Sequence, residues 1–594
     1  MLKFITRFFA VIGFVAVALI ALIIFLGSYM QEKIEPEPDN VVLTLDLDSP
    51  IVEQNAASPF SLAMPGDSVP LLDILRAIDH AAKDPHVKGI AARFGTGQPG
   101  LAQAQEIRAA LAHFGESHKF TYAFGTDFGE FGLGDRAYYL ASAFDGLWLQ
   151  PVGTVSLTGV AINSPFAKQA LDKIGVTADF MQREEYKSLM EPAQRDNSFS
   201  PPVRAEMQIM IDDLSDQIAS GIAVSRKWEL PHAKEIMAQG PYTDEEALQA
   251  GLVTKLGYAD EFDDMLDDKA GKDSKQVDVE TYLGYGEGHG AAKDSAKIAL
   301  IYGTGLITER DSGGDGLAGD HVMGADSIAT AFDDATSDKD VKAILFRVDS
   351  PGGSPAASET IRRAVMHAEK KGKPVIVSMG EVAASGGYWI AMNGTKIIAD
   401  PATLTGSIGV VAGKFAADGL LQKAGVSMDR LSTAENAGIW DMTRGFTPPQ
   451  RARVDALLDN TYHAFVANVA AARNIPMEKM PDIAKGRVWT GDQAIKIGLV
   501  DALGGYSVAM DETRKALKLE PDAPVDLVIY PAPPTPAERL VKLLHRFGSE
   551  SAAMAGGASA LAKMQSILAP FLNLAAGSDH PVNARMQNMD GFHE

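Results

Sequence analysis

The chain has 594 residues, more than a single core usually organises, since domains hold roughly 100–200. A hydrophobic share of 46% with 22% charged residues is that of ordinary globular protein, and a net charge of −23 argues against a surface that coats DNA or RNA. With no cysteine, thiolate metal sites, iron–sulfur clusters, a Cys nucleophile and disulfides are excluded, while the redox compartment stays open.

The N-terminus opens with Lys3 and Arg7, followed by an uncharged run over residues 8–30 that is long enough, as a helix, to cross roughly 30 Å of hydrocarbon. It ends in Gly27-Ser28-Tyr29-Met30, a poor cleavage site, and acidic Glu32, Glu35, Glu37 and Asp39 follow. The charge bias predicts an uncleaved anchor (residues 1–33) with the body outside the cytoplasm. Residues 40–266 read as an α/β unit, because short apolar runs of buried-strand length alternate with helical patterns. The polar, glycine-containing stretch 267–295 reads as a linker. A second α/β unit is predicted over 296–510, with strands around 343–346, 375–377 and 396–399. A helix bearing Ile361, Val365 and Ala368 on one face is expected to follow Ser358 as its cap. Residues 511–594 read as an extension in which P-A-P-P-T-P (531–536) precedes two amphipathic stretches.

The two units are related. V-K-G-I-A-A-R-F at 87–94 matches V-K-A-I-L-F-R-V at 341–348, a spacing of 254 residues. Further pairs follow at 250 (Tyr138-Tyr139 with Tyr388-Trp389) and at 247 (Ala247-Leu248 with Ala494-Ile495, Gly251-Leu252-Val253 with Gly498-Leu499-Val500). A spacing that drifts in one direction is that of a duplicated module with small deletions.

The duplication makes each half a control for the other. Only the second half carries Asp349-Ser350-Pro351-Gly352-Gly353 after a strand and Ala383-Ala384-Ser385-Gly386-Gly387. The counterpart of Ser385 is Asp135, and Arg136-Ala137 replace the glycines. A serine framed by small residues suits acyl transfer: its Oγ is exposed at a strand-to-helix junction, and the Gly353 and Gly386 N–H groups are candidates to hold an oxyanion. The competing reading makes the glycines turns and Ser385 a helix cap. For a base, His367 is nearest in sequence but sits on the expected exposed face of its helix, and none of the 12 histidines stands in a motif with an acidic partner. Lysine is the alternative. Lys187, in Tyr186-Lys187-Ser188-Leu189-Met190-Glu191-Pro192, has only Ala437 or Ala434 as its counterpart, so one half has lysine without serine and the other serine without lysine.

In combination, D-S-P-G-G-S, A-A-S-G-G-Y-W, T-G-S-I-G-V and Y-K-S-x-x-E-P resemble the signal peptide peptidase A (protease IV) family of the long tandem type, from the anchor to about Tyr506. The resemblance implies two tandem crotonase/Clp-like α/β repeats behind one transmembrane helix. It also implies a membrane-anchored serine endopeptidase that degrades cleaved signal peptides, with Ser385 as nucleophile, Lys187 as general base, and Ser407 in Thr405-Gly406-Ser407-Ile408-Gly409 orienting the lysine. A homotetramer in the cytoplasmic membrane, its N-terminus cytoplasmic and its catalytic body periplasmic, is implied as well. Expected partners are peptide substrates in or near the bilayer and the bilayer itself through residues 8–30. No cofactor, metal or nucleic acid is expected, there being no metal-ligand spacing such as H-E-x-x-H. The rival readings are a crotonase-like acyl-CoA enzyme and a catalytically inactive membrane scaffold.

Overall fold

The computed structural model describes residues 38–54, 68–95, 97, 99–129, 134–271, 273–286, 295–309, 313–314 and 321–532. The expected anchor and the tail beyond Ala532 lie outside these residues. Among the described residues no helix is long and apolar enough to cross a membrane.

Two sheets organise the chain. In the first, six strands run parallel in the order Lys255–Leu256, Gly146–Leu149, Phe120–Gly125, Val87–Phe94, Val41–Asp46, Lys275–Asp278. The second has eight strands, and its central path runs Val488–Thr490, Leu404–Gly406, Val375–Ala384, Val341–Ser350, Ala296–Thr304, Val525–Tyr530. Lys396–Ala399 and Ala502–Leu503 branch from Val375–Ala384. Only the edge strand Val488–Thr490 is antiparallel to its neighbour. The central strands are buried almost throughout, as parallel strands covered by helices on both faces must be.

The halves agree in detail. A register shift interrupts the pairing between Val41 and Val42, and again between Lys297 and Ile298. The buried Tyr138 hydroxyl donates to the Leu252 carbonyl at 2.7 Å, and that of Tyr388 to the Leu499 carbonyl at 2.9 Å. Lys119 reaches the carbonyls of Ala81 and Asp84, as Lys373 reaches those of Ala335 and Asp338. The tyrosine and lysine pairs keep the spacings of 247, 250 and 254 read from the sequence, and the register shifts, 256 apart, continue the same drift.

Three expectations need correction. The stretch 267–295 is not simply a linker: the helix Ala259–Ala270 runs into it, and Lys275–Asp278 adds the edge strand of the first sheet, with Val277 and Val279 buried. A four-residue edge strand with polar ends carries almost no periodic signal, so its polarity read as linker. The second unit does not end at 510, because the helix Tyr506–Leu517 packs on its sheet and Val525–Tyr530 is its edge strand, the counterpart of Lys275–Asp278. The cap of the helix Pro355–Lys370 is Ser354, whose Oγ accepts the Ala357 N–H, with Pro355 in the first turn. Ser358 is buried one turn later.

The halves are joined by a buried charge cluster. Arg347, fully buried, donates to both carboxylate oxygens of Glu53 at 2.7 and 3.0 Å and to Glu106 at 2.7 Å, and stacks over Tyr506. Arg347→Met is expected to cost about 3–5 kcal/mol, because it leaves two facing carboxylates without their cation. Urea unfolding monitored on both halves measures that loss.

Candidate active site

The strand Val375–Ala384 delivers Ser385 at its carboxyl end, and the helix Gly386–Ala391 begins at the next residue. So abrupt a junction puts Ser385 at φ +56°, ψ −118°, a conformation an L-residue rarely adopts and which its surroundings must enforce. The Ser385 N–H donates to the Gly406 carbonyl and its own carbonyl accepts from Trp389 N–H, both at 2.9 Å. Ser385 occupies the N-cap position, yet its side chain caps nothing. The capping explanation for this serine therefore fails.

Beside it, the strand Val341–Ser350 ends in a turn where Gly352 and Gly353 have φ of +109° and +154°. Ile307 N–H donates to the Gly352 carbonyl and Ser354 N–H to the Ile307 carbonyl, clamping the turn. A Cβ on Gly352 would sit 2.6 Å from the Gly386 nitrogen and 2.9 Å from the Ser385 Cβ. One on Gly353 would strike the Ile307 carbonyl, and one on Gly386 would lie 2.7 Å from Ser358 Oγ and 3.0 Å from the Gly353 nitrogen. Backbone approaches this close only without side chains, and the result sets the Gly353 and Gly386 nitrogens beside the serine. Gly353→Ala keeps the backbone N–H, but its Cβ would strike the Ile307 carbonyl and shift the turn; if that N–H serves an oxyanion, its displacement is expected to lower kcat about 10²–10³-fold with the overall fold kept. Steady-state kinetics alongside circular dichroism checks this.

Lys187 arrives from the other half. The strand Thr177–Gln182 pairs antiparallel with Val411–Ala416, a two-stranded ribbon built across the two units, and Arg183 N–H extends it by donating to the Val410 carbonyl. The loop that follows is fixed at both ends. Tyr186 N–H donates to the Lys485 carbonyl, while the Arg487 guanidinium stacks 3.9 Å over the Tyr186 ring and donates to its hydroxyl. Buried Glu191 accepts from both N–H and Oγ of Ser200, which explains the acid in the Y-K-S-x-x-E-P pattern. Gly486, at φ +84°, leaves room for the Lys187 backbone, which a Cβ there would approach to 2.5 Å.

These elements bring all five residues singled out in the sequence into one place. Lys187 Nζ lies 2.9 Å from Ser385 Oγ, 2.9 Å from Ser407 Oγ and 3.0 Å from the Ser407 carbonyl oxygen, within a single chain. Ser407 is held at φ +48° by donating its N–H to the Arg487 carbonyl. Burial alone pulls the Lys187 ammonium down to about 7, which brings the neutral amine, with its free lone pair, within reach at neutral pH. His367 lies on the helix Pro355–Lys370, half-buried rather than exposed. In the first half, Asp135 holds the position corresponding to Ser385, and its carboxylate accepts the N–H groups of Thr158 and Gly159 at 3.1 and 2.9 Å. That position is used up in a structural contact.

Sequence reasoning missed the 485–488 segment, which touches both Lys187 and Ser407, and Glu206, which fastens it. The one available signal was R-V-W-T at 487–490, a short run of β-formers after Gly486.

The profile of peptidase family S49 matches residues 134–273 and 367–520, one stretch in each half. The chain is 34% identical over 468 residues to Protease 4 of Salmonella typhi, covering 76% of this chain and 72% of that protein. It is 32% identical over 488 residues to Protease 4 of Haemophilus influenzae, covering 77% and 76%. With the chloroplastic serine protease SPPA of Arabidopsis thaliana it shares 30% over 462 residues, covering 77% and 67%. The α/β fold and these matches define a peptidase of the serine class. The chain belongs to peptidase family S49, among the SppA-type proteases.

Proposed function

We propose that the chain is an endopeptidase working through a Ser385/Lys187 dyad, anchored in the cytoplasmic membrane by residues 8–30 with its body outside the cytoplasm, and that it degrades cleaved signal peptides. The observation that carries the dyad is the 2.9 Å separation of Lys187 Nζ and Ser385 Oγ, in a pocket dry enough to hold the amine neutral near pH 7. A neutral amine has two N–H donors and one lone pair. The Ser407 carbonyl and Oγ accept the two donors, which aims the lone pair at the Ser385 hydroxyl.

As Oγ attacks the peptide carbonyl, Lys187 takes the hydroxyl proton, and the Gly353 and Gly386 N–H groups face the developing oxyanion. Collapse breaks the C–N bond, the ammonium gives its proton to the leaving amine, and an ester to Ser385 remains. Water then attacks that ester, Lys187 again accepts and returns a proton, and the acid product leaves. No step draws on a metal or cofactor. Signal peptides as substrates, the anchor and a tetramer rest on the likeness to SppA-type proteases and on the apolar run at 8–30. The two tandem crotonase/Clp-like repeats rest on the matching sheet orders and on the paired contacts.

Fluorophosphonate labelling of the full-length protein in detergent tests the reading. Modification at Ser385 is expected, with loss of labelling in Lys187→Ala. An acyl-CoA enzyme or an inactive scaffold would leave the serine unlabelled, and that result would refute the dyad.

A further inference from the structure

Val488–Thr490 is the edge strand of the second sheet, so part of its hydrogen-bonding edge faces away from the ladder. The first half covers that edge with one helix, Pro201–Arg226. Glu206 Oε1 accepts the Val488 N–H at 2.7 Å, and seven residues on, on the same helix face, Asp213 accepts the Thr490 hydroxyl at 2.6 Å.

The two contacts have different consequences. Thr490 leads away from the site into the helix Gly491–Lys496. Val488 ends the short strap 485–488, and the three residues before it bear on the segments that carry the reactive groups. The Lys485 carbonyl accepts Tyr186 N–H, Gly486 N–H donates to the Ile408 carbonyl while its Cα faces the Lys187 backbone, and the Arg487 carbonyl accepts Ser407 N–H. The strap thus lies against both the Lys187 backbone and Ser407.

Resting on the dyad reading above, we infer that Glu206 is a positioning residue: by clamping Val488 from the opposite half, it holds the strap that keeps Ser407 on Lys187 and the amine dry. The charged group facing Glu206 is Arg487, while Lys485 pairs with Glu185 at 3.7 Å on the same strap. Burial raises the Glu206 carboxyl to about 7, but either protonation state keeps an oxygen that accepts the Val488 N–H. The clamp therefore holds throughout the pH range in which Lys187 titrates, and an amide can replace the acid.

The test measures kcat/KM against pH for the full-length wild type, Glu206→Ala, Glu206→Gln and Asp213→Ala, with thermal melting of each. In Glu206→Ala, water admitted beside the strap returns Lys187 toward its solution value of about 10.4. The activity limb then moves up by at least about one pH unit, and the rate at pH 7 falls about 5-fold or more. The alkaline plateau and KM change by less than about 3-fold, so the loss is one of base ionisation and not of substrate binding. Glu206→Gln restores the wild-type limb, and Asp213→Ala leaves it in place although it melts lower. A Glu206→Ala limb that coincides with wild type overturns the inference, whether or not the melting temperature falls, and so does an Asp213→Ala limb displaced equally. Should Glu206→Ala not fold, a displaced limb in Glu206→Gln overturns it. A wild type with no Ser385-dependent turnover would instead sink the dyad, which keeps the two failures apart.

Discussion

Ser385→Ala and Lys187→Ala are each expected to abolish peptide hydrolysis, lowering kcat/KM by about 10⁴-fold or more while leaving the fold intact. On the proposed dyad, the serine variant lacks the atom that would form the acyl-enzyme. The lysine variant keeps that atom but loses the group that, on the proposed dyad, takes its proton, and a hydroxyl without a base is a poor nucleophile at neutral pH. The two losses do not add, because each residue works only through the other, so the double variant should be no slower than either single one. Single-turnover assays with a chromogenic peptide ester and a matched amide measure all three. Wild-type-like turnover in either single variant contradicts the dyad.

The second large effect is on pH. Because burial holds Lys187 near 7, activity should climb about tenfold per unit through pH 5 and 6, reach half its plateau near pH 7, and stay high on the alkaline side. A profile that falls through pH 7 as pH rises would exclude a lysine base. The same shift has a cost in stability. An unfolded lysine titrates near 10.4, so between about 7 and 10.4 the unfolded chain binds a proton that the folded chain lacks, and stability rises with pH across that window. Below pH 7 the penalty is complete, at about 4–5 kcal/mol. Lys187→Met should therefore melt higher than wild type at pH 6–7, and the advantage should shrink toward pH 10. Calorimetry at several pH values reads both the sign and the window.

The penalty explains why so much structure converges on one amine. The Thr177–Gln182/Val411–Ala416 ribbon, the Tyr186–Arg487 stack, the Glu191–Ser200 contacts and the strap together hold a group that would be more stable in water. The strained backbone at Ser385 and Ser407 belongs to the same account, since packing around both residues overrides their local preference. The first half shows the relaxed alternative: Asp135, in the serine's place, spends its carboxylate on two backbone N–H groups.

Local signals were legible where one element speaks for itself. Val341–Ser350 and Val375–Ala384 show as apolar runs, the Gly352-Gly353 and Gly386-Gly387 pairs mark turns where backbones nearly touch, and the 247–254 spacing exposes two related units. Lys275–Asp278 and Val525–Tyr530 were misassigned because edge strands bury one face at most, and so carry half the pattern of a central strand. The partners of Arg347, Glu206 and the 485–488 strap were invisible, since a run of β-formers such as 487–490 marks a strand but nothing near these residues announces contacts as far away as Glu53 or Val488.

By itself, then, the amino-acid order determined which residue types were available, on which kind of element, and that each half had kept what the other had lost. It did so because strand burial, turn geometry and the complementary pattern of Ser385 and Lys187 are short-range or repeat-encoded properties. Only the tertiary structure decided that those two side chains, 198 positions apart, meet at 2.9 Å and that the amine between them is dry. Contact and desolvation depend on how the sheets and the bridging ribbon pack, and that is a property of the assembled whole.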